Sequence, residues 1–420
     1  MERAKNIMEL VNNLDPTYVL TSKDKNVYVP IYEKILIDLR DRILNDLLES
    51  QTIFVSGQPR TGKTTALNFL PNNDIIAKYD VKYIHGRDLF DPQDINIIDI
   101  LLMFGYELLK NNDSLEKKYF DKLEKVHKIK DGILKEEKEN ENEFSIGINA
   151  KFFAYFKLEH TYRKKAREIF KLKKPQLLET INEMITAYYE QSDSDKKLLI
   201  IIDDLDKLRN LDQIKSIFIE DRFYLTQINC KKIIAIPVSL TTEPDILSSA
   251  MDIPQFCLRL SENPIDKTAD IKEDETVKKN KSLFWEILQK RIETGKRLIE
   301  DEAIEKAIEY SGGILGQYIQ ILYNAARIAR QYQGEIITEE DVLDGLDTIK
   351  KTIERTIISK DKIDLLNTVR LNFKPNVEGD TFVEFLLNNH IIAYSNGTTW
   401  YEVNPIIKKT VEIYSEKIDE

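Results

Sequence analysis

Thr52-Ile53-Phe54-Val55-Ser56-Gly57-Gln58-Pro59-Arg60-Thr61-Gly62-Lys63-Thr64-Thr65 is the stretch that decides how the rest of the chain is read. Thr52–Val55 is a short, mostly apolar run closed by Ser56-Gly57, and a helical pattern starts at Lys63. Between them Gly57 to Thr64 fills the pattern G-x-x-x-x-G-K-[ST] completely. Glycines let successive backbone N–H groups curl around a phosphate, and a helix N-terminus adds partial positive charge. A lysine at position 63 reaches β- and γ-phosphates, and a hydroxyl at position 64 ligates Mg²⁺. The plain alternative is a glycine-rich turn with no ligand. A strand before and a helix after are the context the motif requires, so residues 57–65 read as a nucleotide-phosphate site.

A second element completes this chemistry. Leu198–Ile202 is an unbroken apolar run ended by Asp203 and Asp204, the signature of a strand buried on both faces. It places the Asp203 carboxylate at a sheet edge, where it supports Mg²⁺, and Asp204 beside it to orient the attacking water. Asp206 reads as the cap of the next helix. A further apolar run, Ile233–Val238, and a short one at Lys82–Ile84 alternate with helical segments such as Ile95–Leu109 and Leu177–Tyr189. That alternation predicts an α/β fold with a parallel sheet. Phe284 to about Ile358 reads as all helical, with a helix start at Thr338. Ile391–Val403 reads as two strands around Asn396-Gly397, a hairpin turn signal. The expected domains are 1–265 for nucleotide chemistry, 266–351 for a helical lid and 352–420 for a small C-terminal unit.

The 420 residues carry a net charge of -11, with 42% hydrophobic and 32% charged side chains, which excludes a disordered or fibrous chain. A basic field over the whole molecule is excluded too, though a local basic patch is not. Two cysteines, Cys230 and Cys257, exclude a disulfide scaffold and a four-cysteine zinc site. No apolar run reaches 18 residues and the first residues lack an apolar signal core, so a reduced, cytoplasmic, membrane-free protein is expected.

The order of phosphate loop, IIIDDLDKL, the strand IIAIPVS and then SGGILGQYIQILYNAARIAR resembles the AAA+ and STAND ATPases. It is most similar to prokaryotic relatives of origin-recognition initiators and to the STAND and KAP ATPases of signalling and phage defence. The resemblance spans roughly residues 26–350, and the C-terminal hairpin resembles a winged helix. It implies a P-loop ATPase that uses ATP and Mg²⁺. It also implies that Tyr28-Val29-Pro30 contacts the adenine, a segment that otherwise reads as a turn. By the same likeness Ser239 or Thr241 follows a sensor strand near the γ-phosphate, and Ser311-Gly312-Gly313 starts a sensor helix.

Departures from the family pattern matter. Gly316 and Gln317 stand where many relatives have an arginine, and Ser239–Leu258 contains no Arg or Lys. An arginine at the transition state is worth about 10³–10⁵ in rate, so slow hydrolysis, suited to a switch, is expected unless Arg222, Arg259 or a partner supplies one. Arg222, with Arg209 as a weaker choice, is the candidate to complete a neighbouring subunit's site in a homo-oligomer. Its bland alternative is a surface pair with Glu220 or Asp221.

Lys63 and Asp203 are 140 residues apart, where about 50 suffice, so roughly 111–190 is an insertion. Phe144–Leu158 within it alternates like strands, and Arg163, Lys164, Lys165, Arg167, Lys171, Lys173 and Lys174 follow with one acid, Glu168. These cations fit nucleic acid, a solvated helix face balancing Glu136–Glu143, or partner docking. Residues 352–420 hold eleven acids against eight bases, which favours protein docking or autoinhibition over DNA reading. His85, His127, His160 and His390 show no metal-ligand spacing. Two roles fit. One is a regulatory or antiviral-defence ATPase controlling a partner effector; the other is a nucleic-acid-handling ATPase of the initiator or transposition-helper kind.

Overall fold

The computed structural model describes residues 1–45, 47, 49–86, 94–109, 112, 115, 119, 167–168, 171–191, 195–242, 253–261, 264, 272–374, 379–396 and 398–418. Most of the expected insertion, including its aromatic strands and Arg163–Lys165, lies outside them. The chain forms two compact units, one of 40–55 and 71–253, the other of 1–39, 56–70 and 254–420.

The first unit carries the sheet. Its strands are β1 (Thr52–Ser56), β2 (Tyr79–His85), β3 (Lys197–Asp203) and β4 (Lys231–Ile236), in the order β1-β4-β3-β2. β2 runs parallel to β3 with Tyr79 opposite Lys197 and His85 opposite Asp203. β3 runs parallel to β4, with Leu199 opposite Lys231. Leu198–Ile202 is fully buried, as the run of apolar residues demands, because in a parallel sheet covered by helices neither face meets water. Helices Ile97–Leu109 and Lys174–Gln191 pack on each other. The apolar face of the first is interrupted by Gly105, where a Cβ would come to 3.0 Å from Ile181 Cδ1.

β4 opens with a feature its sequence hides. Lys231 and Lys232 are buried. The Lys232 ammonium donates to the carbonyls of Ile228 at 2.7 Å and Cys230 at 3.1 Å, and the Lys231 ammonium to Ile43 and Asn45. Burial pulls the Lys232 ammonium down to about 8. After β3 the chain makes a single turn at Leu205–Lys207, and the next helix, Leu211–Lys215, is capped by Asn210, whose side chain accepts from the Gln213 N–H at 2.8 Å. Asp206 lies inside that single turn instead of capping. Asn210 takes the cap because it stands directly before the helix in extended conformation.

The second unit joins residues 1–39, the phosphate-loop segment 56–70 and residues 254–420, which are mostly helical apart from a terminal hairpin. Ser56, at the end of β1, exchanges backbone bonds with Pro254 and Phe256 at 3.0 and 2.8 Å, a short parallel bridge that holds the loop's entry. Helices Lys272–Gln289, Asp301–Ser311, Leu315–Gln331 and Glu339–Ile357 follow. Thr338 starts the last of these with a full capping box to Asp341. Ser311 closes a helix, and Gly312 and Gly313, both left-handed, lead into the helix that begins at Leu315. Only glycine fits at 313, where a Cβ would stand 1.8 Å from the Leu258 carbonyl oxygen.

Helices Lys360–Asn372 and Asp380–Leu387, the hairpin β5 (Ile391–Asn396) and β6 (Thr398–Val403), and helix Pro405–Ile418 end the chain. The strands are antiparallel with Tyr394 opposite Trp400. Those two rings, Ile392 and Ile314 share one core, and Tyr401 is buried too. Tyr394 also donates to the Gly312 carbonyl at 2.7 Å.

His390 sits against Phe385 with its Nε2 3.0 Å from Thr356 Oγ1. Burial pulls its imidazole down to about 4. An unfolded chain protonates this group near 6.5, so its stabilising effect is full above that value and is lost as pH falls toward 4. Between pH 7 and pH 5 the loss is about 2 kcal/mol. Urea unfolding at the two pH values should show His390→Asn losing that much less stability than wild type.

Candidate functional site

The phosphate loop is fully formed. Gly57 and Gly62 have φ of +151° and +96°, and Arg60 is left-handed at +69°, the alternation that turns successive N–H groups toward one concavity. A Cβ on Gly57 would sit 2.7 Å from the Phe256 carbonyl oxygen. Buried Lys63 folds back on the loop, donating to Gly57 O at 2.6 Å and Gln58 O at 2.8 Å. Thr61 Oγ1 donates to Gln58 O at 2.9 Å, and Tyr32 donates to Thr61 O at 2.7 Å. Thr64 and Thr65 lie half-buried in the first turn of helix Lys63–Asn68. Lys63 therefore presents its charge where a phosphate anion would displace neutral carbonyls, and the Thr64 hydroxyl suits Mg²⁺. The residues present fit a nucleotide phosphate with its ion.

Gln58 has a further role that sequence reading missed. Its side chain is 3% exposed, and both its amide nitrogen and its oxygen bond to the C-terminal segment. Nε2 donates to the carbonyls of Leu386 at 3.0 Å and Ile391 at 2.8 Å, and Oε1 accepts from the Ala393 N–H at 2.7 Å. Asn389 donates in turn to Pro59 O at 3.3 Å. Arg60 is joined to Gly316 in both directions: its guanidinium donates to Gly316 O at 2.6 Å, and Gly316 N–H donates to Arg60 O at 2.7 Å. A Cβ at 316 would come to 2.7 Å from Arg60 Cβ, so the missing arginine at 316 has a steric reason. Gln317 faces Asn404 in a reciprocal amide pair at 3.1 and 2.9 Å. Tyr28 stacks on Phe69 at 3.7 Å between ring centroids, Val29 is buried and Pro30 exposed. Tyr32 and Phe256, packed edge to face at 5.0 Å, brace the loop; their spacing from the motif carries no signal in sequence.

In the sheet-bearing unit Asp203 ends β3, buried, and accepts from the Asp204 N–H at 2.8 Å. Asp204 has φ +71°, a left-handed conformation that a short polar side chain tolerates, and its carboxylate pairs with Lys207. Tyr83 donates to Asp203 Oδ2 at 3.4 Å, and burial, with the Asp203 and Asp204 charges, pushes its phenol well above the ordinary value. His85 belongs to this group. Its ring nitrogen and the two carboxylates offer ligand atoms all within 4.8 Å of one another. Sequence spacing gave no sign of this grouping, because it is parallel pairing that aligns His85 with Asp203 across 118 residues of chain. Ser239 is buried in the turn Val238–Thr242 after β4. Arg222, half-buried, opens helix Arg222–Thr226, Arg209 is exposed, and Asp221 bonds Lys174 at 2.7 Å.

Two members of the basic cluster are neutralised within the protein. Arg167 pairs with Asp94 and, at 2.6 Å, with Asp99, and donates to Asp94 O at 2.7 Å. Burial opposes its charge, but the Asp99 and Asp94 carboxylates raise its pKa. Burial also pushes Asp99 up, against the pull of Arg167. Lys174 is held by Asp221 as well, so Arg167 and Lys174 both have carboxylate partners within the protein. Lys171 remains exposed.

No helix among the described residues is long and apolar enough to cross a membrane. No family model and no curated protein matches the chain. Among solved structures it is similar to the ORC2 protein of Aeropyrum pernix in ADPNP and ADP complexes, at 11% identity and a TM-score of 0.46, with 100% of both chains covered. It is similar also to a chain of the Drosophila ORC bound to DNA, at 11% identity and a TM-score of 0.44, covering 98% of this chain and 95% of that one. The RuvB Holliday junction branch migration motor of Thermotoga maritima is similar at 13% identity and a TM-score of 0.36, covering 92% of this chain and 99% of that one.

Proposed function

We propose that this chain binds Mg²⁺-ATP, hydrolyses it slowly and works as a nucleotide-dependent switch. The carrying observation is the complete phosphate loop with Lys63 held on Gly57 O and Gln58 O. From the sequence motifs, Lys63 and the loop N–H groups are assigned to the phosphates, Thr64 and Asp203 to the ion, and Asp204 to the attacking water. Mg²⁺, when bound, neutralises the charge that develops on the phosphates. The choice of ATP rests on the sequence resemblance. Gly316 and Gln317 are committed to Arg60 and Asn404, which supports slow turnover. The switch reading is supported by Gln58, which ties the phosphate loop to residues 386–393. In this reading 1–265 carries the chemistry, 266–351 the lid and 352–420 the output to a partner effector or a second copy.

Arg222 is assigned to the neighbouring subunit's site in a homo-oligomer. ATP turnover per chain is expected to rise with protein concentration, and Arg222→Ala to remove the rise while ATP still binds. Asp204→Asn keeps a residue that tolerates the left-handed backbone, so it should fold, bind ATP and lose hydrolysis. Turnover independent of concentration would refute the shared site. Wild-type turnover in Asp204→Asn would refute its role.

A further inference from the structure

Two buried carboxylates in succession at a strand end are costly unless a cation balances them. Lys207 pairs with Asp204, and Tyr83 shares a hydrogen bond with Asp203. The third neighbour is an imidazole. β2 ends at His85, opposite Asp203 in the parallel register, and the left-handed turn at Asp204 brings the next carboxylate into the same group. His85 is held in place by the Tyr83 ring, 4.5 Å between centroids. Its Nδ1 is buried and has no hydrogen-bond partner among the described residues. Buried ring nitrogens are normally satisfied, so this one calls for an acceptor or an ion.

We infer that His85, Asp203 and Asp204 together form a direct, nucleotide-independent site for a divalent transition-metal ion, of which Mn²⁺ is the representative. An all-oxygen set suits Mg²⁺ and Ca²⁺, whereas an imidazole nitrogen shifts preference toward transition metals. Three protein ligands from two adjacent strand ends leave further positions open to water or to a phosphate oxygen. The inference builds on the metal-holding role proposed for Asp203, yet it requires no nucleotide to be present.

The full chain, free of nucleotide, is titrated with Mn²⁺ while the electron paramagnetic resonance of the free ion is recorded. One saturable ion per chain is expected, displaced by Mg²⁺ only at large excess. Pulsed resonance on the bound ion should show coupling to one directly bound ¹⁴N, a signature read on the wild type alone. His85→Ala should weaken Mn²⁺ binding at least about tenfold and abolish the ¹⁴N coupling, and Asp203→Asn should weaken it similarly. No saturable binding, bound Mn²⁺ without ¹⁴N coupling, or unchanged affinity in His85→Ala would overturn the site. Lys63→Ala separates the two claims: it should keep nucleotide-free Mn²⁺ binding, and wild-type ATP affinity in it would strike the nucleotide reading alone.

Discussion

Lys63→Ala is expected to weaken ATP binding by about two to three orders of magnitude while leaving the fold intact. The ammonium is buried and donates to two backbone carbonyls of its own loop. Exchanging neutral carbonyl partners for a polyphosphate gives the charged donor anionic acceptors, and each bond to a charged group is worth about 1.5–3 kcal/mol. Two such bonds convert to roughly the expected loss in affinity. Folding should suffer less, because removing the lysine frees carbonyls at the mouth of a loop that Tyr32, Thr61 and Phe256 brace independently. Fluorescence titration with a labelled ATP analogue, beside a thermal melt of the same variant, separates the two effects. Wild-type affinity in a folded Lys63→Ala protein would remove the phosphate loop from nucleotide binding.

Gln58→Ala carries the second large effect. It deletes an amide that satisfies the Ala393 N–H and two carbonyls inside a site only 3% exposed. Each buried group left without a partner costs about 1–3 kcal/mol, so a stability loss of about 3 kcal/mol or more is expected. The local consequence is sharper. The Ala393 amide should exchange its hydrogen far faster in the variant, whereas the Thr338 cap, bonded to Asp341, should keep its protection. Gln58→Glu tests the donors alone, since a carboxylate still accepts from Ala393 but faces the Leu386 and Ile391 carbonyls without an N–H to offer. Unchanged exchange at Ala393 in both variants would show that residues 386–393 do not depend on the phosphate loop.

Local patterns in the sequence were reliable guides to elements held by local or face-wide physics. The glycine spacing of residues 57–64 needs no distant partner to be recognised. The apolar run Leu198–Ile202 needs only a sheet covered on both faces, and the box at Thr338 is written within four residues. The hairpin was legible from Asn396-Gly397, although Gly397 itself lies outside the described residues. What escaped depends on partners far along the chain. Gln58 occupies a variable position of the motif, and its partners lie 328 to 335 residues away. His85 joins Asp203 only through strand register. Arg167 looked like a surface cation among six others, yet Asp94 and Asp99, about 70 positions earlier, take its charge. Nothing local in the sequence shows where Lys231 and Lys232 point, yet backbone carbonyls receive both ammonium groups. In each case the side chain's chemistry was visible and its partner was not.

Direct equilibrium titration of the wild-type chain with ATP, by calorimetry in the presence and absence of Mg²⁺, tests the central claim most closely. The account predicts one saturable ATP site per chain, tighter with Mg²⁺ and lost in Lys63→Ala. Absence of saturable heat at millimolar Mg²⁺-ATP, with the protein shown to be folded, would contradict it.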